Sequence, residues 1–82
     1  MYYVYIVRCA DNSLYCGQTK NIESRMREHN EGNRKGAKYT RARRPVTLVY
    51  KELASTLSQA LKREAEVKKM TKQKKELLIL IK

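Results

Sequence analysis

Two tyrosines, an arginine, a histidine and one awkwardly placed glutamate are the side chains of this sequence that could do chemistry together. With residues 56–69 read as a helix at about 100° per residue, Leu57, Ala60, Leu61 and Ala65 form an apolar stripe, and Glu64 lies near its middle. Glu66 falls on the far side, where water solvates a carboxylate. A carboxylate facing a core is neutralised, paired with a cation or bound to a metal. Lys68, one turn on, offers the plainer solution of an ion pair. Arg25 and His29 stand four apart on a second helix. His29 lies about 40° from Arg25, Ile22 about 60° and Met26 about 100°, so the pair borders an apolar stripe and can line a cleft. A structural reading has Arg25 snorkelling over the core while His29 bonds a backbone carbonyl. Tyr5 and Tyr15 are strand residues, where tyrosine ordinarily packs.

These groups matter only if the chain brings them together. Residues 2–9 are rich in β-branched and aromatic types and apolar on both faces, as a central strand is. Residues 14–18 return as a second strand. A three-residue loop of Ala10, Asp11 and Asn12, with Asn12 left-handed, pairs Cys9 with Ser13, Val7 with Tyr15 and Tyr5 with Gly17. Both tyrosines then share a face, with space beside the Tyr5 phenol at Gly17; a two-residue loop would send the hydroxyls to opposite sides. Cys9 and Cys16 fall on opposite faces, as small core residues that cannot form a disulfide. Asn21, or Thr19 before it, caps a helix running to about Glu31, where Gly32 stops it. Pro45 bars ladder pairing at its own position, and residues 46–53 form a third strand. Thr56 and Gln59 make a capping box, and Thr71 caps a final segment. Residues 77–81 read as helix or strand, and the helix-forming run 72–76 favours helix. The expected class is α/β: a small three-stranded, largely antiparallel sheet flanked by helices, in the order β-β-α-β-α-α.

A chain of 82 residues suits one domain, residues 1–82, with one modest core. Two cysteines without zinc spacing or a secreted framework point to a reducing, cytoplasmic setting. No apolar run approaches the roughly 20 residues a bilayer requires, and a signal peptide's order of segments is missing. Net charge is +11, unevenly spread. Residues 1–31 carry four Lys/Arg and four Asp/Glu, whereas residues 32–51 carry seven Lys/Arg and no acid. Arg34, Lys35, Lys38, Arg41, Arg43 and Arg44 crowd together with Gly32, Gly36 and Tyr39 among them, which suits a strip following a phosphate backbone. A solvated basic loop is the alternative. A membrane surface fits less well, because the strip has almost no apolar residue to insert. Nucleic acid is the expected partner, DNA first and RNA as a possibility, bound by a monomer. No base-reading helix or aromatic platform is evident, so sequence specificity should be low.

Tyr3-Val4-Tyr5, Tyr15-Cys16-Gly17, the helix carrying Arg25 and His29, and Ala60-Leu61-Lys62-Arg63-Glu64 together resemble the GIY-YIG nuclease superfamily. The likeness is to its short, stand-alone, single-domain branch, and extends through Lys38-Tyr39-Thr40-Arg41 and Arg44-Pro45. The resemblance implies a DNA endonuclease of repair or recombination. Tyr5 would be the general base for the attacking water, with Tyr15 beside it and Gly17 as the motif's backbone glycine. Arg25 would hold the scissile phosphate, His29 sits where relatives carry His or Tyr, and Glu64 falls on the single metal-binding carboxylate. Two positions depart: the first motif lacks its glycine, and Gln18 stands where some relatives carry a lysine.

The chemistry sets conditions. A phenol of pKa about 10 needs a nearby cation to ionise at neutral pH; otherwise His29, with a pKa near 6.5, is the better base. One carboxylate plus phosphate and waters suits Mg²⁺ or Mn²⁺, bound weakly without substrate. The sequence therefore predicts a metal-dependent, structure-selective phosphodiesterase. The alternatives are a catalytically silent nucleic-acid-binding module of the same fold and a basic assembly protein pairing through its apolar C-terminal segment.

Overall fold

The computed structural model describes residues 1–31 and 38–81. Strands β1 (Tyr2–Arg8) and β2 (Leu14–Thr19) lead into helix α1 (Ile22–Glu31), a single-turn helix α2 (Lys38–Arg41), strand β3 (Thr47–Ala54), and helices α3 (Leu57–Lys68) and α4 (Lys72–Leu80). The sheet is antiparallel throughout, in the order β2-β1-β3. The apolar run at β1 belongs in the centre because both its faces are covered: Val4, Tyr5, Ile6 and Val7 are all fully buried.

The hairpin takes the three-residue loop. Asn12 adopts φ 70°, Cys9 N–H donates to Ser13 O at 2.8 Å, and the register pairs Val7 with Tyr15 and Tyr5 with Gly17. The Asp11 carboxylate reinforces the turn by accepting from Ser13 N–H at 3.0 Å. Alternation then sorts two cores. Val4, Ile6, Cys16 and Tyr50 pack with Ala60 and Val67 of α3 and with Leu78 and Ile79 of α4. Tyr5, Val7, Cys9 and Val46 pack on the other face with Tyr15 and with Ile22 and Met26 of α1. Both cysteines are buried and free, one in each core.

Caps follow the sequence with one change. Asn21 Oδ1 accepts from Ser24 N–H at 3.0 Å, and Thr56 Oγ1 accepts from Gln59 N–H at 3.1 Å. The Gln59 side chain, however, accepts from the Ser55 hydroxyl and N–H, so the box closes on Ser55 rather than on Thr56. Thr71 caps α4 through Lys74 N–H at 3.2 Å, which settles residues 72–80 as helix. The third strand runs one residue later than expected, and part of the basic segment is helix α2 rather than loop.

The inward face of α3 corrects the predicted stripe. Leu57 and Leu61 are 43% and 47% exposed, and Ala65 is exposed; the residues turned to the sheet are Ala60, Arg63, Glu64 and Val67. Leu78 and Ile79 of α4 already fill part of this core, and Arg63 Nε donates to both Glu52 oxygens at 3.0 and 3.1 Å, which fixes the rotation of α3. Glu64 still faces inward and Glu66 outward, as expected, but Ala60 and Val67 are its buried neighbours.

Candidate active site

Four of the expected residues meet on the face covered by α1. Tyr5 Oη lies 2.7 Å from His29 Nε2, Arg25 Nε donates to the same phenol oxygen at 3.4 Å, and the Tyr15 ring meets the His29 ring edge-on at 5.6 Å. The helical spacing of Arg25 and His29 sets them one turn apart above the two strand phenols. Gly17 is required by the close approach: a Cβ there would stand 2.6 Å from Tyr5 Oη and 2.8 Å from its Cζ. His29 and Tyr5 are both fully buried. Among the described residues the imidazole bonds no backbone carbonyl; its Nδ1 lies 2.8 Å from Thr40 Oγ1, and Thr40 is itself fully buried.

Hydrogen-bond accounting orders the protons. We assign the tautomer in which the buried Tyr5 O–H, which has no other acceptor among the described residues, donates to His29 Nε2, leaving the imidazole proton on Nδ1 for Thr40 Oγ1. Burial pushes the Tyr5 phenol up to about 12, more than the Arg25 hydrogen bond and charge pull it down. Burial, aided by the Arg25 charge, lowers His29 to about 4. A neutral imidazole therefore rests on a neutral phenol near pH 7, and the nearby cation does not yield a tyrosinate. Arg25 also donates to Glu28 Oε1 at 2.9 Å, a partner one turn along its own helix.

Glu64 lies in the opposite layer, on α3, and its link to this group runs through Lys68. Its carboxylate pairs with Lys68 Nζ at 3.1 Å, with side-chain exposures of 17% for Glu64 and 51% for Lys68. The ammonium in turn sits 5.8 Å from the centre of the Tyr15 ring. Burial and then the Glu64 charge raise the Cys16 thiol to about 11, consistent with an acid directed at β2. The ion-pair reading of Glu64 thus holds, with an ammonium that is half open to water. Among the described residues no three His, Cys, Asp or Glu side chains cluster as ligands. Glu64 is the one carboxylate of the expected site, and to hold a hard divalent cation it would have to give up its pair with Lys68.

The basic strip divides. Arg34 and Lys35 lie outside the described residues. Lys38 and Arg41 are exposed on α2. Arg43 and Arg44, expected on a phosphate backbone, are engaged internally. Arg43 Nε donates to Asp11 Oδ2 at 3.1 Å, its Nη1 donates to Tyr39 O at 2.9 Å, and its guanidinium lies 3.9 Å above the Tyr39 ring. Arg44 donates to the carbonyls of His29 and Glu28, capping the end of α1 that carries the imidazole. Tyr39 stacks on Tyr15 at 5.8 Å and 24°, an aromatic ladder the sequence did not disclose. Thr40 was given no role either, although the family resemblance runs through Lys38-Tyr39-Thr40-Arg41.

A phenol pair on a β-hairpin, with a guanidinium and an imidazole on the following helix, defines a small α/β domain of nuclease type. The chain belongs to the GIY-YIG family, whose catalytic-domain model matches residues 1–76. It is similar to the UPF0213 protein SH2523 of Staphylococcus haemolyticus, 57% identical over 74 residues that cover 90% of this chain and 88% of that protein. A UPF0213 protein of Staphylococcus aureus strain Mu3 is 55% identical over 78 residues, 95% of this chain and 93% of the relative. The solution NMR structure of the UPF0213 protein BH0048 from Bacillus halodurans aligns with a TM-score of 0.63 at 41% identity, covering 100% of this chain and 86% of that one. That of the protein EF2693 from E. faecalis gives 0.63 at 43% identity, covering 98% and 84%.

Proposed function

We propose that the chain is a metal-assisted phosphodiesterase that cuts DNA, selecting structure rather than sequence, in repair or recombination. The observation that carries this reading is the buried Tyr5–His29–Thr40 relay with a guanidinium on its phenol. Arg25 leaves Glu28 for the scissile phosphate, which uncovers the phenol and stabilises the charge growing on the phosphoryl oxygens. As a water attacks phosphorus and the P–O bond to the leaving sugar oxygen breaks, the water's proton passes to Tyr5 Oη while the phenol's own proton moves to His29 Nε2, and the leaving oxygen takes a proton from solvent; Thr40 holds the imidazole in the accepting tautomer. Tyr15, partly exposed, would donate to a phosphate oxygen. Glu64 would hold Mg²⁺ or Mn²⁺, supplying Lewis acidity at a phosphate oxygen when bound.

A silent nucleic-acid-binding module is the second reading. It is favoured by the complete burial of Tyr5 and by the existing pair of Glu64 with Lys68. A panel of branched, nicked and single-stranded DNA, each with Mg²⁺ and with Mn²⁺, separates the two. The enzyme predicts cleavage that Arg25→Ala or Glu64→Ala abolishes while binding survives. Binding without cleavage of any substrate by the native chain leaves the module.

A further inference from the structure

Beside the phenol–imidazole pair, on the side away from Tyr39, a cleft of about 370 Å³ opens between the start of α1 and the sheet. Its lining is Tyr3, Lys20, Asn21, Ile22, Glu23 and Lys51. Tyr3 is two residues before Tyr5 and therefore on the same sheet face, and Lys51 pairs with Tyr5 across the β1–β3 ladder. The cleft thus opens on the same sheet face as the candidate active site.

Its chemistry differs from that of a packed core. Lys51 Nζ lies 5.8 Å from the centre of the Tyr3 ring, and Lys20 Nζ lies 5.2 Å from that of Tyr2. Among the described residues neither lysine makes an ion pair, and both are exposed. Against these two cations stands one acid, Glu23, so the mouth is net positive. A half-buried aromatic ring with an ammonium group beside it, and a second lysine lining the same cleft, matches the way a nucleotide is held on single strands: base stacked on the ring, phosphate against the cation.

Resting on the reading of this chain as acting on nucleic acid, we propose that the cleft seats the unpaired nucleotide next to the scissile phosphate. The base lies on Tyr3 and the phosphate against Lys51, with Lys20 at the rim, so the strand crosses the sheet face from this cleft to the Tyr39 side. A paired base cannot reach the ring, which makes unpaired DNA the substrate class.

The test is amide NMR of the labelled chain titrated with a single-stranded hexathymidylate and with a six-base-pair duplex. The single strand should shift Tyr3, Ile22 and Lys51, and the duplex should not. Lys20→Ala with Lys51→Ala, both at exposed positions, should weaken single-strand binding about tenfold and lower its salt slope by about 1.4; Tyr3→Leu should weaken it by a similar factor. Shifts confined to residues 38–44, equal losses for the single strand and the duplex, or unchanged affinity in the double variant overturn the proposal. Binding and cleavage are read separately: cleft shifts without cleavage sink the nuclease, and cleavage without cleft shifts sinks the seat.

Discussion

The buried imidazole of His29 ties stability to pH. Its ordinary pKa of 6.5 falls to about 4 in the fold. A base held neutral when folded contributes stability above the unfolded pKa, and that contribution is lost as pH falls, because the unfolded chain takes up the proton first. Urea unfolding should therefore lose on the order of 3 kcal/mol between about pH 6.5 and pH 4, and His29→Gln should flatten that slope; an unchanged slope would show that His29 titrates normally. For cleavage, kcat/KM should stay level down to about pH 5 with no acid limb near 6.5, since the free enzyme's imidazole governs it. Gly17→Ala places a methyl against a phenol that has nowhere to go, so it should cost about 1–3 kcal/mol and remove the Tyr5–His29 hydrogen bond, seen as a shift of the imidazole nitrogen resonances. Lys68 competes with any cation at Glu64. Lys68→Met should tighten Mn²⁺ binding, measured by paramagnetic broadening around Glu64, and broadening no stronger than in the native chain would place the ion elsewhere.

At the level of elements, α1 is anchored by the segment that leads into β3. Asn30 brackets Val46, donating to its carbonyl at 3.1 Å and accepting from its N–H at 2.7 Å, and Arg44 caps the last carbonyls. Arg44→Ala should cost roughly 1–3 kcal/mol in thermal unfolding, as a lost charged hydrogen bond at a helix C-terminus does, whereas Lys38→Ala should leave stability unchanged. These contacts mark what the sequence could and could not disclose. The hairpin register was legible because an Asn in the left-handed position and a Gly opposite a tyrosine are local requirements, and the helical pair Arg25 and His29 because its spacing is local too. The rotation of α3 was not, since Leu57 and Leu61 score as core until α4 and the Arg63–Glu52 pair claim the space. Nor were the duties of Arg43 and Arg44, whose partners lie 32 and 15 residues away in sequence. Glu64 was found through a stripe assigned to partly wrong neighbours, because its inward angle is shared by both rotations.

For the whole molecule the question is whether +11 acts as a bulk charge or as a patch. Arg8 is bound to Glu76 through both carboxylate oxygens, Arg63 to Glu52, and Arg43 to Asp11. Part of the positive charge therefore holds the fold together and is poorly placed to meet phosphates. The cations beside the candidate site, Lys38 and Lys51, share a face with Tyr5, while Lys62 and Lys74 are exposed on helices of the other layer. Two double variants each remove two positive charges, the first variant from the site face and the second from the other layer. If binding is driven by the patch, Lys38→Ala with Lys51→Ala lowers the slope of log affinity against log salt for single-stranded DNA by about 1.4, at roughly 0.7 per phosphate contact. Lys62→Ala with Lys74→Ala then leaves the slope near its native value, because counterions are released only where phosphates are met. Equal changes in both variants would mean that net charge alone governs attraction and that the face bearing the phenols has no privileged path for a strand. The slope decides this more cleanly than affinity, since long-range attraction shifts every variant of equal charge alike.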